Sequence, residues 1–199
     1  MRRDQRLDSI LAAALRALQR HGMHGTTMRE VAREARTSLA NLYTYVGGRD
    51  ELLYRAHLRV LDAAVASALA TASVPGPRER LRALVTDHVR RVLAHPAEAE
   101  VLRGTPGLLR GERARRVDEQ RRRYLQQVQA AADAVAGRVP PAHSDERARL
   151  LLGMADRLAL DAHGGPGASP ERLSSAVLRM FLSGAREAGA GRPQRAASG

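Results

Sequence analysis

Apolar residues recur at helical spacing along most of this chain, and that pattern restricts the fold more than any other feature of the sequence. Near the start, apolar residues three or one positions apart line one helix face: Leu7, Ile10, Leu11, Ala14, Leu15 and Leu18. Clusters of proline and glycine such as "SVPGP" and "GRVPP" end later segments of the same kind. Because the two-residue alternation typical of strands is scarce, we predict an all-α fold of about eight or nine helices.

Length and the N-terminal segment bear on the class of protein. A chain of 199 residues with 44% apolar residues can bury a large core, but it has no apolar run of about 18 residues that could cross a membrane. Arginines before an apolar run at the N-terminus resemble a signal peptide, yet Asp4, Asp8 and Arg16 interrupt the run and no cleavage site follows. We therefore expect a cytoplasmic protein without a membrane partner.

The cysteine content, the spacing of the histidines and the net charge limit the reactions and partners that the chain can have. The absence of cysteine excludes disulfides, thiol catalysis and the usual ligands of structural zinc. The seven histidines lack metal-ligand spacing and paired carboxylates, so we expect no metal, no cofactor, no catalytic residue and no enzymatic activity. All 33 cationic residues are arginine, and the formal charge is +12. Codon bias accounts for most of this preference, but the charge also suits a polyanionic partner.

Two short helical segments joined by a three-residue turn have the pattern of a helix-turn-helix. The first spans about 28–35, after a threonine cap that Glu30 completes as a capping box, and the second spans about 39–45 after Ser38. In such a motif the second helix enters the major groove of DNA. The sequence therefore predicts a DNA-binding module, with the first helix of the chain as its platform.

The second short segment is expected to turn Leu42 inward and to expose polar and aromatic side chains. Asparagine and threonine can bond base edges, whereas tyrosine hydroxyls and a capping serine typically reach phosphates. For Tyr43, packing within the small domain and a phosphate contact are equally supported. For Tyr45 and Asn41, a contact with DNA is favoured.

The segment "TTMREVAREARTSLANLYTYVGGRDELL" resembles the DNA-binding segment of the tetracycline-repressor (TetR) family of regulators. Shared features are a threonine pair, a Val-Ala step, a serine cap, a Leu-Tyr step, a second aromatic position and a basic-acidic-x-Leu ending. The detailed resemblance covers about residues 7–54. Three positions depart from it: Arg36 stands where the family usually has glycine, Thr37 where it usually has valine, and Val46 where phenylalanine is common.

The resemblance implies a homodimer that binds a palindromic double-stranded DNA operator, usually as a repressor, and releases it when a small molecule binds the C-terminal domain. It implies phosphate contacts from Thr27, Ser38, Tyr43, Tyr45 and Arg49. It implies base-reading contacts from Leu39, Ala40, Asn41 and Thr44.

Helix lengths and the resemblance together predict three segments. Residues 1–48 are expected to form a three-helix helix-turn-helix domain. A long helix beginning near Asp50 joins it to a helical ligand-binding and dimerisation bundle that completes residues 49–188. The composition of residues 189–199 is typical of a disordered tail.

Two histidines, His57 and His88, fall on apolar helix faces of the predicted regulatory segment. A lone inward histidine is more often a core residue than a ligand contact, but the resemblance places these helices around the effector cavity. The candidate pocket residues are Leu84, His88, Val92, Tyr124, Leu125 and Val128. With one phenylalanine and no tryptophan, the chain has few rings to stack on a planar ligand, which favours an aliphatic or flexible effector.

The last two predicted helices, which begin at Ser144 and Pro170, carry apolar stripes that face either the domain's own core or a second subunit. The resemblance favours a dimer. The candidate interface residues are Leu151, Leu152, Ala155, Leu158, Leu173, Val177, Met180 and Phe181.

Three other interpretations are open. A nonspecific architectural DNA-binding protein would bind with a steep salt dependence and little sequence preference. An all-α enzyme would need a nucleophile and base, or a metal set, and the sequence offers neither. A regulator that senses a partner protein is compatible with every pattern above.

Overall fold

The structure, a computed structural model, describes residues 3–104, 109–136, 141–165 and 168–190. Within these ranges every regular element is helical, as predicted. The helices are α1 (Arg3–Gly25), α2 (Met28–Glu34), α3 (Leu39–Tyr45), α4 (Arg49–Ala70), α5 (Pro77–Ala94), α6 (Pro96–Gly104), α7 (Gly111–Ala136), α8 (Pro141–Ala162) and α9 (Pro170–Ala190), with a 3-10 turn at Thr71–Ser73 after α4.

Most predicted boundaries agree with these helices to within a residue or two, and one is wrong by a turn. The sequence predicted that α8 begins at Ser144, but the helix begins three residues earlier, at Pro141. The Ser144 hydroxyl does not cap the helix; it is buried and donates to Asp133 Oδ2 of α7 at 2.7 Å. Of the predicted tail 189–199, residues 189–190 end α9 and the remainder lies outside the described residues.

A first core joins α1, α2, α3 and the first half of α4. Its fully buried side chains include Ile10, Val31 and Leu42, which come from three different helices. Val46, at the end of α3, is also buried in this core, so the valine fills its site without an aromatic ring. Each short helix is held by this shared core, since a seven-residue helix is unstable alone.

A second core joins the remainder of α4 to α5, α7, α8 and α9. The prediction that His57 and His88 lie on inward helix faces is confirmed, because both are buried. Their helices bury further residues on these faces, including Leu53, Val60, Leu61 and Ala64 on α4, and Leu81, Leu84, Val85 and Val92 on α5.

Helix α4 belongs to both cores. Val60 packs in the first and Ala64 in the second, about one turn apart. Val101 of α6 also packs in the first core, beside α1. The two cores are therefore connected through α4 and α6, and the limits 1–48 and 49–188 stay a prediction.

Among the described helices, no segment combines the length and the apolar character that crossing a bilayer requires.

Candidate functional site

The N-terminus of α2 carries the predicted capping box. Thr27 Oγ1 accepts a hydrogen bond from the Glu30 amide at 3.3 Å, and Glu30 Oε2 accepts one from the Thr27 amide at 2.7 Å. Hydrogen bonds that the Thr27 amide and hydroxyl donate to the Glu30 carboxylate hold the pKa of that carboxyl below its ordinary value. Arg49, at the start of α4, donates from Nε to the Thr26 carbonyl at 3.5 Å. The predicted phosphate-contact residues Thr27 and Arg49 are therefore brought to the same corner of the domain.

Helix α3 begins at the predicted cap, with Ser38 Oγ accepting from the Asn41 amide at 3.0 Å. Leu42 turns fully inward, as predicted. The exposed residues of the helix are Ala40, Asn41, Tyr43 and Thr44. Leu39 and Tyr45, by contrast, are half-buried and pack against the first core. The expectation that Leu39 lies on the exposed face is thus only partly met, because its side chain helps to fix α3 on the domain.

The two tyrosines of α3 differ in exposure. Tyr43 is 48% exposed, so packing does not explain its position. Tyr45 is half-buried and packs against the first core. Of the two side chains, that of Tyr43 is the more exposed.

Asn41 and Thr44 are held in place by hydrogen bonds to neighbouring residues. Asn41 Nδ2 donates to Thr37 Oγ1 at 2.7 Å, and Thr44 Oγ1 donates to the Asn41 carbonyl at 2.7 Å. The sequence indicated Thr37 only as a departure from the usual valine and did not predict this hydrogen bond. The signal was its four-residue separation from Asn41, which lets two polar side chains meet along a helix start. An oriented amide loses less side-chain entropy when it binds a base edge.

The two turns that flank α3 require unusual backbone conformations. Gly48, the cap of α4, has φ 152°, which glycine adopts without a Cβ clash. Arg36, in the turn between α2 and α3, has φ 49° and is the one described non-glycine residue with positive φ. A left-handed conformation costs a non-glycine residue roughly 1–2 kcal/mol. The turn thus has the geometry that favours glycine, although an arginine occupies it.

A small cavity of about 40 Å³ lies in the second half of the molecule, between α4, α5, α6, α7 and α8. Of the predicted pocket residues, His88, Val92 and Tyr124 line it. Leu84, Leu125 and Val128 do not; they are buried in the second core, because their helix faces turn away from the cavity. The other lining residues, which the sequence did not indicate, are Val60, Ala64, Arg91, His95, Glu98, Ala99, Leu102 and Asp156.

His88 is the centre of a polar network in this cavity. Its Nδ1 lies 2.9 Å from the Tyr124 hydroxyl, and its Nε2 lies 2.9 Å from Asp156 Oδ1. Arg91 Nη2 donates to the same Tyr124 hydroxyl at 3.3 Å. Burial raises the pKa of Tyr124 to about 12, so this phenol stays protonated. The cavity can therefore offer hydroxyl, imidazole and carboxylate groups to a ligand within otherwise apolar walls.

A concave surface of about 840 Å³ lies along α8 and α9. Its apolar residues include Leu150 and Met180, which are 66% and 63% exposed. Of the predicted interface residues, Met180 and Leu158 line this surface. Leu152, Leu173 and Phe181 are half-buried against the second core.

Three predicted interface residues are misplaced. Leu151, Ala155 and Val177 are completely buried in the protomer's own core, where a partner could not contact them. Helix α8 has a second apolar stripe, with Leu150 and Met154, that faces outward instead. Among the described residues no three acidic or histidine side chains are close enough to hold a metal ion.

Comparisons with known proteins agree on one family. A model of bacterial regulatory proteins of the tetR family matches residues 10–56, and a model of the tetracyclin repressor-like C-terminal domain matches residues 75–185. The regulator BetI of Burkholderia thailandensis is 33% identical over 170 residues, which cover 82% of this chain and 86% of that protein. The regulator BetI of Agrobacterium fabrum is 41% identical over 83 residues, but the match spans only 40% of this chain and 39% of that protein.

A solved structure shares the fold. AibR in complex with isovaleryl coenzyme A and operator DNA superposes with a TM-score of 0.74 at 23% identity, over 89% of this chain and 98% of that chain. The matched family consists of transcriptional regulators that contain a helix-turn-helix, and not of enzymes. The chain belongs to the TetR family of DNA-binding transcriptional regulators.

Proposed function

We propose that this regulator is a ligand-released repressor that binds a palindromic operator as a homodimer. The observation that carries the proposal is the exposed face of α3, on which Asn41 and Thr44 are held by hydrogen bonds beside the exposed ring of Tyr43. Residues 1–48 bind DNA, and residues 49–188 bind the effector and the second subunit.

The DNA contacts divide into two classes. Base edges are read by Asn41 and Thr44, with Ala40 and the exposed part of Leu39 contacting apolar groups in the groove. Phosphates are bound from both sides of α3, by Thr27, Ser38, Tyr43, Tyr45 and Arg49. Two copies of α3 lie about 34–36 Å apart in the dimer, which corresponds to one turn of DNA.

The dimer forms through the outward apolar surface of α8 and α9. Single exposed apolar residues are ordinary on a protein surface, but Leu150, Met154, Leu158 and Met180 form one continuous patch. Its lining carries both charge signs, with Glu146, Arg149 and Arg157. A two-fold axis through such a patch can pair an acid of one subunit with an arginine of the other.

The effector enters the cavity beside His88 and Tyr124. Since the cavity of about 40 Å³ has room for only a few water molecules, effector binding must move its walls. The lining residues Ala99 and Leu102 lie on α6, which packs against α1. Displacement of α6 and α4 therefore moves the DNA-binding helices and releases the operator. AibR, with its isovaleryl coenzyme A, supports a short aliphatic group as the effector class.

Replacement of Asn41 by alanine is expected to reduce discrimination between operator and scrambled DNA about tenfold, because one base-reading amide is removed while the phosphate contacts remain. Fluorescence anisotropy would measure binding to DNA from upstream of the protein's own gene, with scrambled competitor at several salt concentrations. Gln126→Ala removes an exposed amide on α7 and is the matched control. If wild-type protein does not distinguish operator from scrambled DNA, and also selects no sequence from a random library, the repressor proposal is wrong and the protein is a nonspecific architectural DNA-binding protein.

Replacement of Ala99 by leucine is expected to fill the cavity and to raise about tenfold the effector concentration that releases operator DNA. The probes are aliphatic carboxylates of increasing chain length and their coenzyme A thioesters. Ala66→Leu, at an exposed position of α4, controls for the added side chain. If Ala99→Leu and Ala66→Leu need the same effector concentration to release operator DNA, the effector binds outside this cavity. Release of wild-type protein by none of these probes would exclude this class of effector.

A further inference from the structure

A basic groove of about 560 Å³ lies between α1 and α2, beside but not including α3. Its charged residues, which we call the arginine groove, are Arg6, Arg16, Arg20, Arg33, Arg36 and Glu34. No residue of the reading helix lines it, and the phosphate contacts proposed above do not use it. DNA binding by α3 alone therefore does not assign a function to the arginine groove.

The groove holds far more positive than negative charge. Glu34 is its single acid and is shared by two arginines, with Arg16 Nε at 2.7 Å and Arg20 Nη1 at 2.9 Å. Within the described parts of the chain, no carboxylate lies within 4.0 Å of the Arg33 or Arg36 guanidinium. A concave surface with like charges concentrates the electrostatic field and raises the local concentration of a polyanion.

Arg36 supplies a second, independent observation. Its backbone is in the left-handed region, with φ 49°, where glycine would be free of strain. Its exposed side chain nevertheless lines the groove. A strained backbone that presents a charged side chain to a surface without a neutralising partner is typical of a binding position.

The groove lies where it can meet the same duplex as α3. Arg36 is two residues before Ser38, the cap of α3, so one end of the groove lies next to the first turn of the reading helix. From Arg6 to Arg20, α1 extends about 21 Å at 1.5 Å per residue. That length is sufficient to follow several successive phosphates, each of which a guanidinium fork can bind through two oxygens.

We propose that the arginine groove binds phosphodiesters of the DNA that flanks the segment read by α3, and so extends the contact of each subunit beyond the operator core. This proposal rests on DNA binding by α3 and adds a second, sequence-independent surface to it. Because phosphate contacts carry no base information, the groove raises affinity for longer DNA without changing operator preference.

The test uses the full-length protein and two duplexes, one with the operator core alone and one with flanking DNA on both sides. The double variant Arg33→Gln/Arg36→Gln removes the two arginines without a close carboxylate. Wild-type protein is expected to bind the flanked duplex at least tenfold more tightly than the core, and the double variant to lose most of that gain. The slope of log affinity against log salt should become shallower by about 0.9 for each phosphate that the variant no longer binds.

The matched control is Arg80→Gln/Arg82→Gln, which removes two exposed arginines from α5 and lowers the net charge equally. If both double variants lose the same affinity for the flanked duplex, general charge is responsible and the arginine groove does not bind DNA.

If inorganic tripolyphosphate binds wild-type protein but not Arg33→Gln/Arg36→Gln, and flanking DNA adds no affinity, the groove is a site for a small phosphate compound and the proposal is wrong. If wild-type protein does not prefer operator over scrambled DNA, the repressor proposal fails instead, which is a separate outcome.

One substitution in the turn between α2 and α3, at Arg36, tests backbone strain and DNA binding separately. Arg36→Gly is expected to raise the melting temperature by about 2–4 °C, because it relieves the left-handed backbone. It should still lose affinity for the flanked duplex. A variant that is more stable and keeps the full flanking gain would show that Arg36 does not contact DNA.

Discussion

A protein carrying both Leu150→Glu and Met180→Glu is expected to remain folded but to become monomeric, and its operator affinity is expected to fall at least a hundredfold. Both side chains are largely exposed in the protomer, at 66% and 63%, so their replacement costs the isolated subunit little. In a dimer built on the α8–α9 surface, the same positions would bury carboxylates against apolar groups, which is strongly unfavourable.

The loss of DNA affinity follows from the loss of bivalency. A dimer that holds one half-site binds the second in an intramolecular step, and this linkage commonly increases affinity by about 10²–10⁴. A monomer still binds one half-site with its own side chains but lacks that factor. Its sequence preference within the half-site should be unchanged.

Light scattering after gel filtration would give the mass, circular dichroism the helix content, and anisotropy the operator affinity. Leu69→Glu is the matched control, because Leu69 is 53% exposed on α4 and does not line the α8–α9 surface. A dimer that survives the double replacement would show that the subunits associate elsewhere. A monomer that binds operator as tightly as wild-type protein would instead contradict the bivalent mode of binding.

The features that sequence predicted best are those that short segments determine. Thr27 with Glu30 forms the capping box because both partners lie within one helical turn. Ser38 caps α3 for the same reason, and Leu42 is buried because helical spacing turns it toward the first core. The family resemblance rests on this same segment, and the predicted caps of α2 and α3 lie within it.

The cavity and the outward surface of α8 could not be predicted in the same way. Asp156 meets His88 across 68 residues of sequence, so no local spacing indicates the pair. On α8, Leu150 and Leu151 are adjacent, and the packing of α5, α7 and α9 decides that Leu151 faces the core while Leu150 faces solvent. An apolar pattern shows that a helix has buried faces, but not which face meets its own domain.

The structure also offers a physical connection between cavity and DNA-binding helices. Val60 lines the cavity and packs in the first core, and Leu102 lines the cavity while its neighbour Val101 is buried in that core. In the proposed mechanism, a ligand that enlarges the cavity pushes on the same two helices, α4 and α6, that pack against α1 to α3.

His57, on α4 beside Arg121 of α7, is expected to make the protein less stable in mild acid. Its ring is completely buried, and Nδ1 has no hydrogen-bond partner among the described residues. Arg121 Nη2 donates to Nε2 at 3.3 Å and to the Leu102 carbonyl at 3.1 Å. Burial, with the nearby Arg121 charge as a second cause, lowers the pKa of His57 from 6.5 to about 4.

Because the pKa of His57 is lowered in the folded protein, the free energy of unfolding decreases as pH falls. Above about pH 6.5, His57 is neutral in both the folded and the unfolded state, so it does not change the free energy of unfolding. Between about pH 6.5 and 4 the unfolded chain binds a proton that the folded protein excludes, so stability falls as pH falls. From about pH 7 to about pH 5 this one group should lower the free energy of unfolding by about 2 kcal/mol.

Urea denaturation of wild-type protein and His57→Leu, at equal protein concentration and at both pH values, would measure the effect. Leucine fills a similar volume and does not titrate, and Arg121 keeps its bond to the Leu102 carbonyl. Every other ionisable group is common to the two proteins, so the difference between their pH dependences isolates His57. Wild-type protein should lose about 2 kcal/mol more than the variant over this interval. Equal losses would mean that His57 takes up its proton in the folded protein, and that the junction of α4, α6 and α7 admits charge.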